Sequence, residues 1–514
     1  MAQETAIGLT GHDLTVDDVW AVAVEGARAV LTDDARGRMH AARELVERAA
    51  HGSEEHTYGV NTGFGRFVAV AIPGEQTREL QLRLLRSHAC GVGDPYPDEI
   101  VRAALLLRAN ALAKGNSGAR VETVELLLAF LERGVLPVVP SRGSVGASGD
   151  LAPLAHLALP LVGEGEAWFD GERIAGGDAR ARAGLEPVRL EAKEGLSLIN
   201  GTQFMAAMLA LGLVRALRLA RAADTACAMS VEALQASRTS FKPQIHELRP
   251  LRGQTVSAAN VLRLLEGSAI IEAHRWCDKV QDAYSLRCAP QVHGASRDLL
   301  AYAGYTVGVE LNAATDNPLV LVEEEELVSN GNFHGQPLAF ALDALAMAVA
   351  EFASISERRL ERLVNPNLSD GLPAFLTTDG GLNSGFMIPQ YVAASLVSEN
   401  KALCHPASVD SIPTSAGQED HVSMGNAAGL KAWQVLANSE RAVAIELLAG
   451  AQAVEFHAPL EPGVGGRAAR TAVRELSPRL RDDRSLAGDI EAVAGSIRDG
   501  SLVAAVEAET GELA

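Results

Sequence analysis

The chain has 514 residues, of which 45 are Lys or Arg and 65 are Asp or Glu, so its formal net charge is −20. This acidic balance argues against general nucleic-acid binding, which needs a basic face. The hydrophobic fraction of 47% and the charged fraction of 21% are those of an ordinary globular protein, and they exclude disorder as the main state.

The cysteines and the first residues indicate the compartment. Five cysteines without CxxC spacing fit neither a disulfide framework nor a zinc site. The first fifteen residues lack the basic and apolar segments of a secretory signal. The longest apolar stretches carry arginines every few residues, so we expect no helix that spans a bilayer. We therefore predict a cytoplasmic protein that binds neither membrane nor nucleic acid.

Helical patterns dominate the first half of the chain. They predict helices at 15–30, 37–50, 76–89, 98–113 and 120–133. The Asp170-Gly171 pair predicts a β-hairpin over 165–174. A long stretch rich in Ala, Leu, Met and Arg then predicts a helix at 203–235.

The second half continues the pattern. Helices are predicted at 257–275, 296–314, 338–363, 388–403, 426–455, 468–476 and 488–508, with a hairpin at 319–331 and a linker at 457–466. The three longest helices have broad apolar surfaces, so each should be buried on several faces. We expect a mainly α fold with few short strands and a central bundle of long helices. The predicted regions are 1–200, 201–456 and 457–514, namely an N-terminal helical domain, the bundle and a small C-terminal helical region.

The sequence contains no GxGxxG, GxxxxGK[ST], HExxH or GxSxG pattern, so dinucleotide, phosphate-loop and simple zinc sites are unsupported and we expect no metal. The segment 141–156 carries a different chemistry. An isolated Ala-Ser-Gly is usually a tight loop, here one that leads into a helix which Asp150 would cap. Such a tripeptide can also cyclise: the Gly149 nitrogen attacks the Ala147 carbonyl carbon, and two waters leave, one of them from the Ser148 side chain. The product is an electrophilic exocyclic methylidene.

This segment resembles the signature of the ammonia-lyases and aminomutases that use 4-methylidene-imidazol-5-one. The resemblance continues in order along nearly the whole chain, through YGVNTGFG, SHACGVG, ASGDLAPLAH, EGLSLINGTQ, QDAYSLRCAPQ, NGNFHG, GLNSGFM and HPASVDSIPTSAGQEDHVSMG. Within the family the chain most resembles the histidine ammonia-lyases. The resemblance implies an ammonia-lyase fold of the fumarase/aspartase type, a carbon–nitrogen lyase, a prosthetic ring formed from Ala147, Ser148 and Gly149 with no external cofactor, and a homotetramer whose active sites are lined by more than one subunit.

The resemblance also assigns residues to roles. Tyr58 matches the proposed base, and Arg287 matches the residue that holds the substrate carboxylate, a pairing that suits the guanidinium fork. Tyr284 lies three residues before Arg287, so a helical turn would place both on one face. The remaining residues that match the family's site are Asn200, Gln281, Phe333 and, as support for ring formation, Asp150.

Substrate choice depends on His88, Met387 and Glu419. A glutamate buried without a partner is costly, so Glu419 favours a substrate with a ring N–H over a bare phenyl ring. The expected reaction is therefore elimination of ammonia from L-histidine to give trans-urocanate. Pro389-Gln390-Tyr391 also occurs in relatives that act on aromatic amino acids, so a tyrosine or phenylalanine ammonia-lyase or aminomutase is the alternative. A non-catalytic helical scaffold is a third reading.

Overall fold

The computed structural model describes residues 6–52, 59–60, 62–63, 67, 70, 72–276 and 279–514. The described part of the chain is mostly helical, with a few short strands. It divides into two compact units. Unit 1 comprises Met1–Leu211, Gly304–Asp343 and Pro406–Leu430, and unit 2 comprises Gly212–Ala303, Ala344–His405 and Lys431–Ala514. The three regions predicted along the sequence, 1–200, 201–456 and 457–514, stay a prediction.

Four long helices form the framework, and the sequence predicts three of them within three residues at each end. They are Gln203–Ala233, Ala289–Glu310, Gln336–Val364 and Gly425–Val454. Small residues let three of them approach closely. A Cβ added to Gly429 would lie 2.3 Å from Met208 and 3.4 Å from Leu342. In unit 2, a Cβ on Gly212 would lie 3.6 Å from Leu345 and 3.9 Å from Trp433. The predicted bundle of alanine-rich helices is therefore confirmed.

Each unit also contains shorter helices. In unit 1 they are Val16–Ala23, Asp33–Gly52, Thr77–His88, Asp98–Ala113, Val121–Arg133, Leu151–Ala158, Gly176–Arg182 and Glu194–Ile199. In unit 2 they are Pro243–Glu247, Arg252–Leu264, Ala269–Ala273, Tyr284–Arg287, Met387–Leu403, Val464–Leu476, Ala487–Asp499 and Ser501–Thr510.

All described strands lie in unit 1. Ile7–Leu9 pairs in parallel with Ala29–Leu31, and Val92–Pro95 pairs antiparallel with Pro140–Arg142. Glu166–Phe169 pairs with both Leu136–Pro137 and Glu172–Ala175, which confirms the first predicted hairpin. Leu319–Leu321 pairs with Glu326–Val328, which confirms the second.

Four predicted helices are wrong in extent. The helix predicted at 296–314 lies at Ala289–Glu310. The helix predicted at 15–30 ends at Ala23, because the chain then turns through Gly26 into the strand Ala29–Leu31. The helix predicted at 257–275 is two helices separated at Gly267, and that predicted at 488–508 is broken at Gly500. Gly267 and Gly500 have φ values of +72° and +89°, which a right-handed helix cannot accommodate.

Two helices are apolar and long enough to cross a membrane by length and composition, which the sequence-based prediction excluded. They are Gln203–Ala233, with a mean hydropathy of 1.4, and Gln336–Val364, with 1.8. Most of each apolar window, 83% and 72% respectively, is buried inside the protein. Their apolar character is therefore used in the core, as expected for the interior helices of a bundle.

Candidate active site

The Ala147–Gly149 tripeptide lies in a loop between the strand Pro140–Arg142 and the helix Leu151–Ala158. Ala147 and Gly149 are buried and Ser148 is partly buried. Gly149 has a φ of +71°, a left-handed conformation that favours glycine. The tripeptide is therefore bent and held by its surroundings, as ring closure requires.

The backbone of Gly201 packs against the end of this loop, at Gly149 and Asp150. It forms a bridge with Gly149, and its carbonyl accepts a hydrogen bond from the Asp150 amide at 2.6 Å. A Cβ built on Gly149 would lie only 2.0 Å from the Gly201 carbonyl oxygen. The contact is therefore one of backbone against backbone and leaves no room for a methyl group.

Asn200 approaches the loop with its side chain. Its Nδ2 donates to the Ser148 carbonyl oxygen at 3.3 Å. Its Oδ1 is buried and has no hydrogen-bond partner among the described residues, which leaves an acceptor free beside Ser148. The bent tripeptide, the tight Gly149–Gly201 contact and this free acceptor together fit a cyclised Ala-Ser-Gly with polar groups bound next to it.

Asp150 does not cap the helix that follows it, and that part of the prediction is wrong. The helix Leu151–Ala158 has no side-chain cap from Asp150. The carboxyl instead accepts from the amides of Phe204 and Met205, at 2.9 and 3.0 Å, at the start of the helix Gln203–Ala233. Because Asp150 is completely buried, desolvation raises the pKa of its carboxyl to about 7, against these hydrogen bonds. The Ser144 hydroxyl donates to the same carboxyl at 3.2 Å.

Glu419 contacts the loop that contains the tripeptide. Its Oε1 accepts from the Ser148 hydroxyl at 3.2 Å, and its Oε2 accepts from the Thr414 hydroxyl at 2.7 Å. The Thr414 amide also donates to the Glu419 carbonyl oxygen at 2.8 Å, so a tight turn holds the whole residue. Glu419 therefore lies next to the tripeptide in the folded chain, although it is 271 residues from Ser148 in sequence.

His88 ends the helix Thr77–His88 and is partly buried. Its Nδ1 lies 2.9 Å from the Leu84 carbonyl oxygen and 3.0 Å from the Ser87 hydroxyl. Burial lowers the pKa of the imidazole below its usual value, and the negative charge of Glu419 only partly opposes this shift. His88 is therefore a neutral imidazole near Glu419 at neutral pH.

The segment that contains Phe333 is tied to the same loop. Phe333 is partly buried, and the Gly335 amide two residues later donates to the Gly146 carbonyl oxygen at 3.3 Å. Unit 1 thus brings together six of the predicted site positions, namely the tripeptide, Asp150, Asn200 and Glu419, with His88 and Phe333 on adjoining segments.

Four predicted residues belong to unit 2. The short helix Tyr284–Arg287 places the Arg287 guanidinium carbon 4.6 Å from the centre of the Tyr284 ring, so the two share a face as predicted. Arg287 Nε is buried and has no partner among the described residues. Gln281 and Arg287 both line a cavity of about 680 Å³. Met387 begins the helix Met387–Leu403.

Tyr58, the predicted base, lies outside the described residues. The described residues hold no group of three or more His, Cys, Asp or Glu that could bind a metal ion.

Known proteins resemble this chain in sequence and in fold. The family model described as aromatic amino acid lyase matches residues 14–475. The chain belongs to the aromatic amino acid lyase family. The histidine ammonia-lyase of Gloeobacter violaceus is 56% identical over 505 residues, which cover 98% of each chain. Among solved structures, the histidine ammonia-lyase from Trypanosoma cruzi is 45% identical, with a TM-score of 0.91 over 99% of this chain and 96% of that one.

Membership of the aromatic amino acid lyase family confirms the predicted fold and the prediction of a carbon–nitrogen lyase. The scaffold is shared by proteins with other names. A tyrosine aminomutase from Streptomyces globisporus is 38% identical, with a TM-score of 0.95 over 99% of this chain and 100% of that one. Within the aromatic amino acid lyase family, overall fold therefore does not distinguish substrates, and side chains must be used for that purpose.

Sequence reasoning missed the residues that support the site. Ser423 donates to the Gly146 carbonyl oxygen at 3.0 Å, and Arg108 donates to the Asn200 carbonyl oxygen at 2.8 Å. Thr414 and Ser144 hold the carboxyl groups of Glu419 and Asp150. The contacts of Ser423 and Arg108 join distant parts of the chain, so spacing along the sequence gives no signal for them. Thr414 and Ser144 lie close in sequence to the carboxyl groups they hold, but only the folded turn shows these hydrogen bonds. Only the small residues around Gly201 could have indicated a close backbone approach.

Proposed function

We propose that the protein eliminates ammonia from L-histidine to give trans-urocanate. Two kinds of observation support this proposal. Full-length relatives at 56% identity are named histidine ammonia-lyase, whereas the tyrosine aminomutase is 38% identical. The observation that carries the proposal is Glu419, a carboxylate 3.2 Å from the Ser148 hydroxyl and near a neutral His88, which suits an imidazole better than a phenyl ring.

The electrophile is 4-methylidene-imidazol-5-one, made from Ala147, Ser148 and Gly149. The Gly149 nitrogen bonds to the Ala147 carbonyl carbon, whose oxygen leaves as water with the amide hydrogens of Ser148 and Gly149. The Ser148 hydroxyl then leaves as a second water, with its hydrogen taken from the Ser148 Cα. When formed, the group supplies an electrophilic carbon that ordinary side chains lack. No external cofactor and no metal are part of this proposal.

Ring formation changes the partners of Glu419. The Ser148 hydroxyl that Glu419 Oε1 accepts from is the oxygen lost as water. Thr414 still holds Oε2 at 2.7 Å, so the carboxylate stays in place with one oxygen available. An imidazole N–H of the substrate is a suitable donor for that oxygen, and a carboxylate acceptor makes this bond a strong one. His88 supplies a second polar group for the same ring.

The remaining groups hold the amino acid and move its β-proton. Arg287 binds the substrate carboxylate, and the Asn200 Oδ1 without a partner accepts from the substrate amine. Gln281, Phe333 and Met387 complete the binding site. Tyr58 is the proposed base for the β-proton, with Tyr284 as the second candidate. An ordinary tyrosine pKa is about 10, so the site must stabilise the phenolate for this role. Loss of the β-proton and of ammonia converts histidine to urocanate without any redox change.

We further propose a cytoplasmic homotetramer in which residues of more than one subunit line each active site. Exposed apolar side chains support the assembly. Tyr305 and Val309, one turn apart on the helix Ala289–Glu310, are 75% and 57% exposed. Burying such a stripe against another subunit would remove apolar surface from water.

The test is an ultraviolet progress curve on purified protein with L-histidine, L-tyrosine and L-phenylalanine in separate cuvettes. We expect a urocanate band with histidine alone. A coumarate or cinnamate band instead would contradict the role of Glu419 and favour the alternative of an ammonia-lyase for aromatic amino acids. Absence of all three bands would contradict the elimination, and analysis of the products for a β-amino acid would then test the aminomutase.

A further inference from the structure

Arg108 is unusual among the buried cations of this protein. Five Lys or Arg residues are buried in the described part of the chain, and four of them form an ion pair with a carboxylate: Arg43, Lys193, Arg215 and Arg359. Arg108, which is completely buried on the helix Asp98–Ala113, forms none. Because a buried cation without a paired anion is costly, its position calls for a physical explanation.

Arg108 contacts the segment that packs against the tripeptide, at Asn200 and Gln203. Its Nη1 donates to the Asn200 carbonyl oxygen at 2.8 Å and to Gln203 Oε1 at 3.0 Å. Nε and Nη2 have no hydrogen-bond partner within the described ranges. The nearby carboxylate of Asp316 is already bound by Lys193, at 2.6 Å. Desolvation accordingly lowers the pKa of Arg108 to about 10, which still leaves it charged at neutral pH.

The packing passes from Arg108 through the two residues Asn200 and Gly201 to the tripeptide. A Cβ on Gly201 would lie 2.3 Å from Arg108 Nη1, and a Cβ on Gly149 would lie 2.0 Å from the Gly201 carbonyl oxygen. The guanidinium, the backbone of Asn200 and Gly201, and Gly149 are thus packed together with no space for a methyl group at either contact. The same two residues supply the Asn200 side chain, which donates to the Ser148 carbonyl oxygen, and the Gly201 carbonyl, which accepts from Asp150.

We propose that Arg108 is a positioning residue that fixes the Asn200-Gly201 peptide against Gly149 and so holds the Ala147–Gly149 tripeptide in the bent conformation from which it cyclises. The proposal rests on the proposed function, in that it assumes the tripeptide forms the ring. Arg108 acts through the peptide and touches neither reacting atom. Its hydrogen bond to a carbonyl, rather than to a carboxylate, is what the role requires.

The test follows ring formation directly, by the mass of the peptide that contains residues 147–149 in freshly synthesised protein at successive times. Cyclisation lowers that mass by two waters. We expect Arg108→Met to slow the loss of water at least tenfold, and Arg108→Lys, which keeps one charged donor, to fall between Arg108→Met and the wild type. The matched control is Arg43→Lys, a buried arginine of the same unit that donates to the Gly118 and Ala192 carbonyl oxygens, and it should lose water at the wild-type rate.

The outcomes separate the two proposals. A wild-type peptide that never loses water contradicts the proposed function itself. A wild-type peptide that loses two waters, with Arg108→Met doing so at the same rate, overturns the role of Arg108 and leaves the function standing. If Arg108→Met does not fold, Arg108→Lys decides: slowed loss of water in a folded variant supports the role, and the wild-type rate overturns it. Urocanate formation provides a second readout, since kcat should fall with the dehydrated fraction while KM stays unchanged.

Discussion

Replacing Glu419 by glutamine tests how the substrate ring is recognised. The change keeps the size of the side chain and one oxygen acceptor for the imidazole N–H, and the Thr414 hydroxyl can accept from the new amide group, but it removes the charge. A hydrogen bond to a charged group contributes about 1.5–3 kcal/mol and a neutral one about 0.5–1.5 kcal/mol. The difference of roughly 1–1.5 kcal/mol corresponds to about a tenfold loss in kcat/KM for histidine. If Glu419 also transfers a proton, the loss extends to about 10²–10⁴-fold and appears in kcat.

The assay is the initial rate of urocanate formation over a range of histidine concentrations. Asp420→Asn is the matched control, because Asp420 is the exposed neighbour of Glu419 and the same chemical change there should leave kcat/KM at the wild-type value. The mass of the 147–149 peptide in Glu419→Gln should still show the loss of two waters. Wild-type kcat/KM in a fully dehydrated Glu419→Gln variant would refute the assignment of Glu419 to the imidazole.

Two further predictions concern the loop. Gly149→Ala should block the loss of water and destabilise the fold by about 1–3 kcal/mol or more, because its methyl would lie 2.0 Å from the Gly201 carbonyl oxygen. The control is Gly171→Ala, which has a similar backbone strain at a φ of +77° but open space around its methyl. Equal thermal midpoints for the two variants would contradict the reasoning. Burial raises the pKa of Asp150 to about 7 in the folded chain, so the carboxyl stays protonated there over a pH range in which it ionises in the unfolded chain. The contribution of Asp150 to stability is therefore lost as pH rises towards 7. The thermal midpoint of Asp150→Asn relative to the wild type should therefore increase from about pH 5 to about pH 7.5, and a difference that stays constant or decreases would show that burial does not control this carboxyl.

The helices and the tripeptide were accessible from the sequence, and the supporting contacts were not. Local composition predicts the helices Gln203–Ala233 and Gly425–Val454 because their alanine and leucine content is a property of the segment itself. Gly267 and Gly500 end helices through their backbone conformation, which an apolar pattern does not report. Asp150 shows the limit most clearly. Its position before an apolar run suggests a cap on the next helix, but tertiary structure places its carboxyl on the helix that begins at Gln203.

The site shows the same division. Ser148 and Glu419 were predicted from motifs, and the structure brings them within hydrogen-bond distance. Arg108 has no motif of its own, because it acts through hydrogen bonds to a distant segment, at Asn200 and Gln203. A single sequence cannot report such contacts, whose energies depend on how the folded chain excludes water and fills space.

The most direct test of the central claim combines two readings on one sample each of wild type and Ser148→Ala. The first is the mass of the peptide that contains residues 147–149, and the second is the rate of urocanate formation from L-histidine. The wild-type peptide should lack the mass of two waters, and the wild-type protein should form urocanate. Ser148→Ala should fold but lose nearly all activity, because its side chain has no hydroxyl and cannot become a methylidene. Urocanate formation at the wild-type rate by Ser148→Ala, or by a wild-type protein whose peptide has lost no water, would contradict the account.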